Sequence, residues 1–315
     1  RQQSSVLSMS ASLHGSSERA AFLRRRQRNE RWAEWGLGAA ASLAVLITLG
    51  ILLTLIIESL PFFQAVGLWD FLFDPEWTPL FERAHFGIMP LLSATLLTGF
   101  IAMSVAIPLG VVTAVWLSEF AAARTREWAK PALELLSSIP TVVFGYFALL
   151  FVTPALQKLV PELPTFNLLA PGLVIGLMII PYVSSLSEDA LRAVPMNLRE
   201  AAFSLGSGRL RTALWVVLPA AVSGVTASAV LALSRALGET MVVAIAAGQQ
   251  AQLVFDPREG AATLTSYIAQ VAMGDVPRHS VAYQSLFAVG LSLFLLTLVF
   301  NVAGHWVRNR FREAH

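Results

Sequence analysis

No cysteine occurs in the 315 residues, so neither a disulfide framework nor a thiolate metal site is available, and the redox compartment stays open. Charge is scarce too. Asp, Glu, Lys and Arg make up 13% of the chain against 56% hydrophobic residues, and the mean hydropathy is +0.65. A soluble domain carries about a quarter charged residues; this composition is that of an integral membrane protein. Lysine is reduced to Lys130 and Lys158. An ATP-cradling loop, G-x-x-x-x-G-K-[ST], needs a lysine before Ser or Thr. Lys130 precedes Pro131 and Lys158 precedes Leu159, so the chain supplies no such loop. The histidines show no H-E-x-x-H or other paired spacing, and no G-x-S-x-G occurs. No metal, cofactor or catalytic residue is therefore expected, and no nucleic-acid partner. A membrane enzyme would have to use Glu239 or Asp189 as acid or base.

What is present is a series of apolar runs, at 36–60, 88–119, 132–157, 168–187, 214–247 and 281–307. A span needs about 20 mainly apolar residues, so the prediction is an all-α membrane protein of six transmembrane helices. Barrel strands are excluded, because they alternate apolar and polar residues and these runs do not. Pro108, Pro140, Pro181 and Pro219 are candidates for breaks within the longer runs. Lys and Arg concentrate in 1–35, 120–131, 188–213 and 308–315, which places both termini in the cytoplasm by the positive-inside rule. The segment "RRRQRNER" (24–31) satisfies that rule and also suits anionic lipid. The span after it is too long for a cleaved signal. Residues 1–20 read as disordered. Three parts follow: a basic cytoplasmic tail over 1–35, a first span with an external segment over 36–87, and a transmembrane domain over 88–310. The external segment 61–86, rich in Phe and Trp, suits an interfacial element or a docking surface. Residues 248–280 form a second external connector.

Between Arg211 and Asp256 the only charged residues are Arg235 and Glu239, in "SRALGET". A mid-membrane arginine costs about 3 kcal/mol on insertion scales, so it faces a polar path or a partner charge. At i and i+4 the two share a helix face and neutralise each other. A guanidinium also binds oxyanions through a fixed fork. Arg235 is thus the candidate path-lining cation, with Glu239 tuning it and the Ser234 and Thr240 hydroxyls beside it. Thr141, next to Pro140, and Thr95 are further candidates for the path. Residues 215–234 already suffice for a span, so Arg235 at the outer mouth is an open alternative. Glu58 and Glu119 lie at run ends, where interface exposure accounts for them, and Glu134 is expected at an inner-face contact.

The inner loop "NLREAAFSLGSGRLRTALWVVLPA" carries a short helix stopped by Gly206. At helical pitch Leu198, Ala201, Ala202 and Leu205 share a shallow apolar face, with Arg199 and Glu200 at its edges. Such a helix either rests on the inner membrane surface or fits a groove in a partner. Glu200, Ala201, Ala202, Gly206, Val216, Leu218 and Pro219 stand at the spacing of the EAA loop, and the stretch resembles that of binding-protein-dependent ABC importers. "SSIPTVVFGYF" (137–147), "IIPYVSSLSEDALRAVP" (179–195) and "SRALGETMVVA" (234–244) are similar to permeases of the high-affinity phosphate importer, the last stretch most to its C subunit. Thr141 stands where that family commonly has Ser.

The resemblance implies a type I importer permease in the cytoplasmic membrane. It implies that Glu200, Ala201, Ala202, Leu205 and Gly206 form a coupling helix on a cytoplasmic ATPase dimer, which holds the ATP. A second homologous permease, an extracytoplasmic phosphate-binding protein, the lipid bilayer and inorganic phosphate complete the expected partners. Permeases for sulfate or molybdate, and a membrane sensor that does not transport, remain as alternatives.

Overall fold

The computed structural model describes residues 30–308 apart from Leu80, Glu82 and His279; the expected disorder of 1–20 and most of the basic tail fall outside these. The chain forms two compact units that divide between Ile57 and Glu58. The first is the greater part of α1 (Glu30–Ala65), apolar on every side, with a mean hydropathy of 2.7 over its best window and none of that window buried. A helix with no polar face needs lipid or protein all round. Its hydroxyls are matched to that environment: Thr48 and Thr54 donate to the carbonyls of Ala44 and Gly50 (3.0 and 2.9 Å), so neither is left unpaired. Trp32 and Trp35 at its start are exposed, as in an interfacial belt.

The second unit begins with the end of α1, the short α2 (Leu68–Phe73) and a loop with an isolated antiparallel bridge between Trp77 and Phe86. Phe62, Phe71, Trp77, Phe86 and Tyr267 meet edge to face at centroid distances of 5.0–6.4 Å. The aromatic richness of 61–86 therefore builds a cap with its own core. Trp69 and Phe73 stack on its exposed surface.

The bundle consists of α3 (Met89–Phe120), α4 (Ala123–Ser138), α5 (Thr141–Gln157), α6 (Leu169–Arg192), α7 (Met196–Ser204), α8 (Arg209–Ala220), α9 (Val222–Leu237), α10 (Met241–Ala246), α11 (Leu264–Met273) and α12 (Val281–Arg308). Among the described residues, helices α1, α3, α6 and α12 are each long and apolar enough to cross a membrane, and the number reaches six where each bent pair, α4/α5 and α8/α9, counts as one span. Within lipid, helices associate through close packing rather than hydrophobic burial, which favours small residues at contacts. The α3/α6 seam shows this. A side chain on Gly176 would come within 2.8 Å of the Ala102 carbonyl, and Ala94, Ala102 and Ala106 are fully buried along the same helix.

Of the four candidate prolines, two mark breaks. Pro108 and Pro181 lie inside continuous helices. Pro140 follows Ile139, which takes an extended backbone (ψ 131°), and the chain turns by 83°. The ring of a proline disfavours helical geometry in the residue before it. Pro219 lies two residues before Ala221, where α8 and α9 meet at 71°. The fifth run is thus three helices, α8, α9 and α10, and not one continuous helix.

Candidate functional site

Helix α9 ends at Leu237, and Gly238 starts a turn, so Glu239 lies beyond the helix it was expected to share with Arg235. The pair forms nonetheless, at 3.7 Å between Arg235 Nη1 and Glu239 Oε2. The two sides differ in exposure: the arginine side chain is 39% accessible and the carboxylate 3%. Glu239 is fixed from three directions. Its Oε1 accepts from the Met241 N–H (3.2 Å) at the start of α10, its carbonyl accepts from Thr265 Oγ1 (2.7 Å), and its Oε2 faces the guanidinium. A buried carboxylate held by contacts on several sides is fixed in position. The Arg235 guanidinium also sits 5.9 Å above the ring of Tyr182, on α6 next to Pro181. The result is an accessible cation backed by a rigid acid. At 1.5 Å per residue α9 is about 24 Å long, and Arg235 occupies its last turn.

The neighbouring candidates are placed differently. Thr240 donates to the Gly238 carbonyl (3.3 Å) and shapes the turn. Ser234 faces α12, with its hydroxyl near the Val230 carbonyl (3.1 Å) and Asn301 Oδ1 (3.3 Å). Thr141 is part-buried at the first turn of α5, the helix whose Gly145 lies against Ile245 of α10. Thr95 is buried; its hydroxyl accepts the Leu264 N–H (2.9 Å) and donates to the Leu91 carbonyl (2.7 Å). It thereby pins the connector 248–280 to α3.

Glu200, Ala201 and Leu198 of α7 and Leu205 just after it are exposed, the last 89% accessible, while Ala202 and Arg199 turn inward. The helical-wheel expectation for Arg199 is corrected here. Its guanidinium donates to the Val194 and Leu191 carbonyls (2.6 and 2.9 Å) and to Glu119 (2.9 Å). The end of a helix leaves carbonyls unpaired and partly negative, which draws a cation inward. Glu119 is therefore a paired, largely buried group and not an exposed run end. Gly206 has φ +80°, with Ser207 N–H to Ala202 O (3.0 Å) and Gly206 N–H to Phe203 O (2.9 Å), the paired bonds of a Schellman stop.

A second ionic group escaped the sequence reading. Glu188 is wholly buried on α6 and meets Lys130 in direct contact, with Arg126 and Arg192 each at 3.6 Å. Arg126 in turn donates to the Leu117 and Ser118 carbonyls (2.6 and 3.2 Å), next to Glu119. A continuous polar chain thus runs from α7 through the end of α3 to α4 and α6. The i, i+4 spacing of Glu188 and Arg192 was the one sequence signal of it.

Residues 106–313 match the family described as binding-protein-dependent transport system inner membrane component. Over 273 residues the chain is 30% identical to the probable ABC transporter permease protein YqgH of Bacillus subtilis, covering 86% of each. It is 32% identical to the phosphate transport system permease protein PstC of Pasteurella multocida (79% of this chain, 83% of that protein) and 34% to PstC 1 of Mycobacterium tuberculosis (72% and 73%). Among solved structures, a bacterial ABC transporter involved in the import of alginate matches with a TM-score of 0.62 at 16% identity, covering 90% of this chain and 99% of that one. The bent-helix bundle, the exposed α7 and the family match agree, and the chain belongs to the binding-protein-dependent transport system inner membrane components, the permeases of ABC importers.

Proposed function

We propose that this permease carries inorganic phosphate across the cytoplasmic membrane, pairing with a second permease to enclose the path. The observation that carries the reading is the accessible Arg235 guanidinium held against the buried, immobile Glu239. A guanidinium offers two parallel donors to a tetrahedral oxyanion, and a fixed acid behind it limits the affinity so that the anion can leave. The PstC relatives at 32% and 34% identity support phosphate as the substrate class. Thr141, Ser234 and Thr240 belong to the walls or supports of the path in this reading. α7 docks through Glu200, Ala201, Leu205 and the Gly206 turn on a cytoplasmic ATPase dimer, which binds ATP in the place this chain lacks. An extracytoplasmic binding protein delivers phosphate from the side of the aromatic cap, and both termini lie in the cytoplasm.

The test is ATP-dependent uptake in vesicles containing all subunits, with radiolabelled phosphate against sulfate and molybdate as competitors. Accumulation of phosphate that falls at least about tenfold in Arg235→Ala, with Arg235→Lys intermediate because it keeps charge but loses the fork, is the expected result. Wild-type uptake by an inserted Arg235→Ala protein overturns the role of Arg235. Preferential accumulation of sulfate or molybdate overturns the substrate, and ATP turnover without any accumulation indicates a sensor.

A further inference from the structure

α12 begins at the aromatic cap, where the Ser285 and Tyr267 hydroxyls meet at 2.7 Å, and ends at the opposite side of the bundle. There a cavity of about 130 Å³ opens between α12 and α9. One wall is apolar, formed by Ala227, Val230 and Leu231. The other carries Asn301, His305 and Arg308. The helices can meet this closely because Gly304 has no side chain, and a Cβ there would lie 2.2 Å from Val230.

The donors of Arg308 are not used up by the protein. Its Nη2 donates to His305 Nδ1 (2.8 Å), its Nε is buried with no hydrogen-bond partner, and among the described residues no carboxylate lies within ion-pair distance of it. Asn301 supplies nothing to offset this charge, since its amide donates to the Thr297 carbonyl (2.9 Å) and its oxygen faces Ser234. A half-buried guanidinium without an acid partner favours a bound anion. Depth in the membrane points the same way. Trp306 is exposed at this level, as at a membrane interface, and the sequence adds Arg310 and Arg312 just beyond. Basic pockets between membrane helices at head-group depth suit phospholipid phosphate. At about 30 Å³ per water the cavity holds the equivalent of about four waters, room for one phosphate group.

We propose that this pocket binds a phosphate group, as an anionic phospholipid head group or as free inorganic phosphate, with Arg308 as the bidentate donor and His305 positioning it. The inference is independent of the transport reading, because none of its residues is assigned to the substrate path.

The experiment uses the complete transporter complex, stripped of lipid in detergent and examined by native mass spectrometry. Phosphatidylglycerol, phosphatidylcholine and inorganic phosphate are the separate probes. The expected result is retention of phosphatidylglycerol that falls about tenfold in Arg308→Gln, the loss of one charge-assisted contact, and is partly restored in Arg308→Lys. Phosphatidylcholine retention stays unchanged. Displacement of the lipid by inorganic phosphate that depends on Arg308 supports the site and identifies the free anion as its ligand. Equal phosphatidylglycerol and phosphate binding by the unaltered and Arg308→Gln complexes overturns the proposal. If the Arg308 variants do not assemble, Ala227→Phe fills the cavity without changing charge; undiminished retention in that variant also overturns it.

Discussion

Arg199 donates through Nη2 to Glu119 Oε1 at 2.9 Å, across 80 positions of sequence, and this ion pair joins the exposed helix α7 to the end of α3. Both side chains are 11% accessible, so the pair is shielded from solvent. The same guanidinium closes the C-terminal carbonyls of α6. Force applied to α7 therefore reaches two membrane helices through one side chain.

Replacing Arg199 with Ala leaves Glu119 without its cation, held only by the adjacent Ser118 hydroxyl (3.0 Å), and removes the guanidinium from two carbonyls. Breaking a buried pair from one side costs about 3 kcal/mol. Hydrogen exchange across Met196–Ser204 is expected to accelerate about a hundredfold, while exchange in the aromatic cap stays constant. Unchanged protection of α7 refutes this role for Arg199.

Glu188 balances Lys130, Arg126 and Arg192 from a fully buried position. Glu188→Gln leaves three cations with only the exposed Asp189, 3.4 Å from Lys130, to offset them, and the thermal midpoint of the complex is expected to fall by several degrees. The double variant Glu188→Leu, Lys130→Met removes both a charge and its partner and should recover much of that loss, as apolar replacement of buried pairs does. A double variant less stable than Glu188→Gln contradicts this account.

Gly206 stands in the left-handed region at φ +80° with open space around the position of a Cβ. The cost of a side chain there is conformational only, about 1 kcal/mol for Ala and less for Asn. Gly206→Ala is expected to weaken coupling of ATP turnover to uptake more than Gly206→Asn does. Equal effects from the two would show that bulk, not backbone geometry, governs the turn.

The loop between α2 and α3 carries a pH-dependent contact. His85 Nδ1 lies 2.8 Å from Asp74 Oδ2, and this hydrogen bond, opposed by burial and aided by the charges of Asp74 and Glu76, raises the His85 pKa above its ordinary value. A raised folded-state pKa stabilises fully below the unfolded value of about 6.5, and the contribution disappears as pH rises through the folded value. Proteolysis of the loop between α2 and α3 should be slower at about pH 6 than at about pH 8. Asp74→Asn should abolish the difference, and a pH dependence that survives it rules the contact out.

The readings that came from the sequence alone rest on local regularities. The scarcity of charge set the class, and the apolar runs placed the long helices. The inner-loop sequence predicted the short helix α7, and Gly206 marked its end because only a residue without a side chain enters φ +80° freely. Arg235 and Glu239 were near one another by spacing, whichever conformation the intervening turn adopted.

Tertiary structure decided the rest. Pro140 and Pro219 accompany breaks while Pro108 and Pro181 do not, because neighbouring helices determine whether a freed backbone group finds a partner. Ser234 faces α12 and Thr95 holds the connector 248–280, roles set by what packs beside them. Arg199 on the short α7 and Glu188 near the end of α6 look like ordinary charges until distant segments arrive to pair with them. Periodicity describes one helix at a time, whereas the energy of a buried charge depends on the groups that folding brings within about 4 Å.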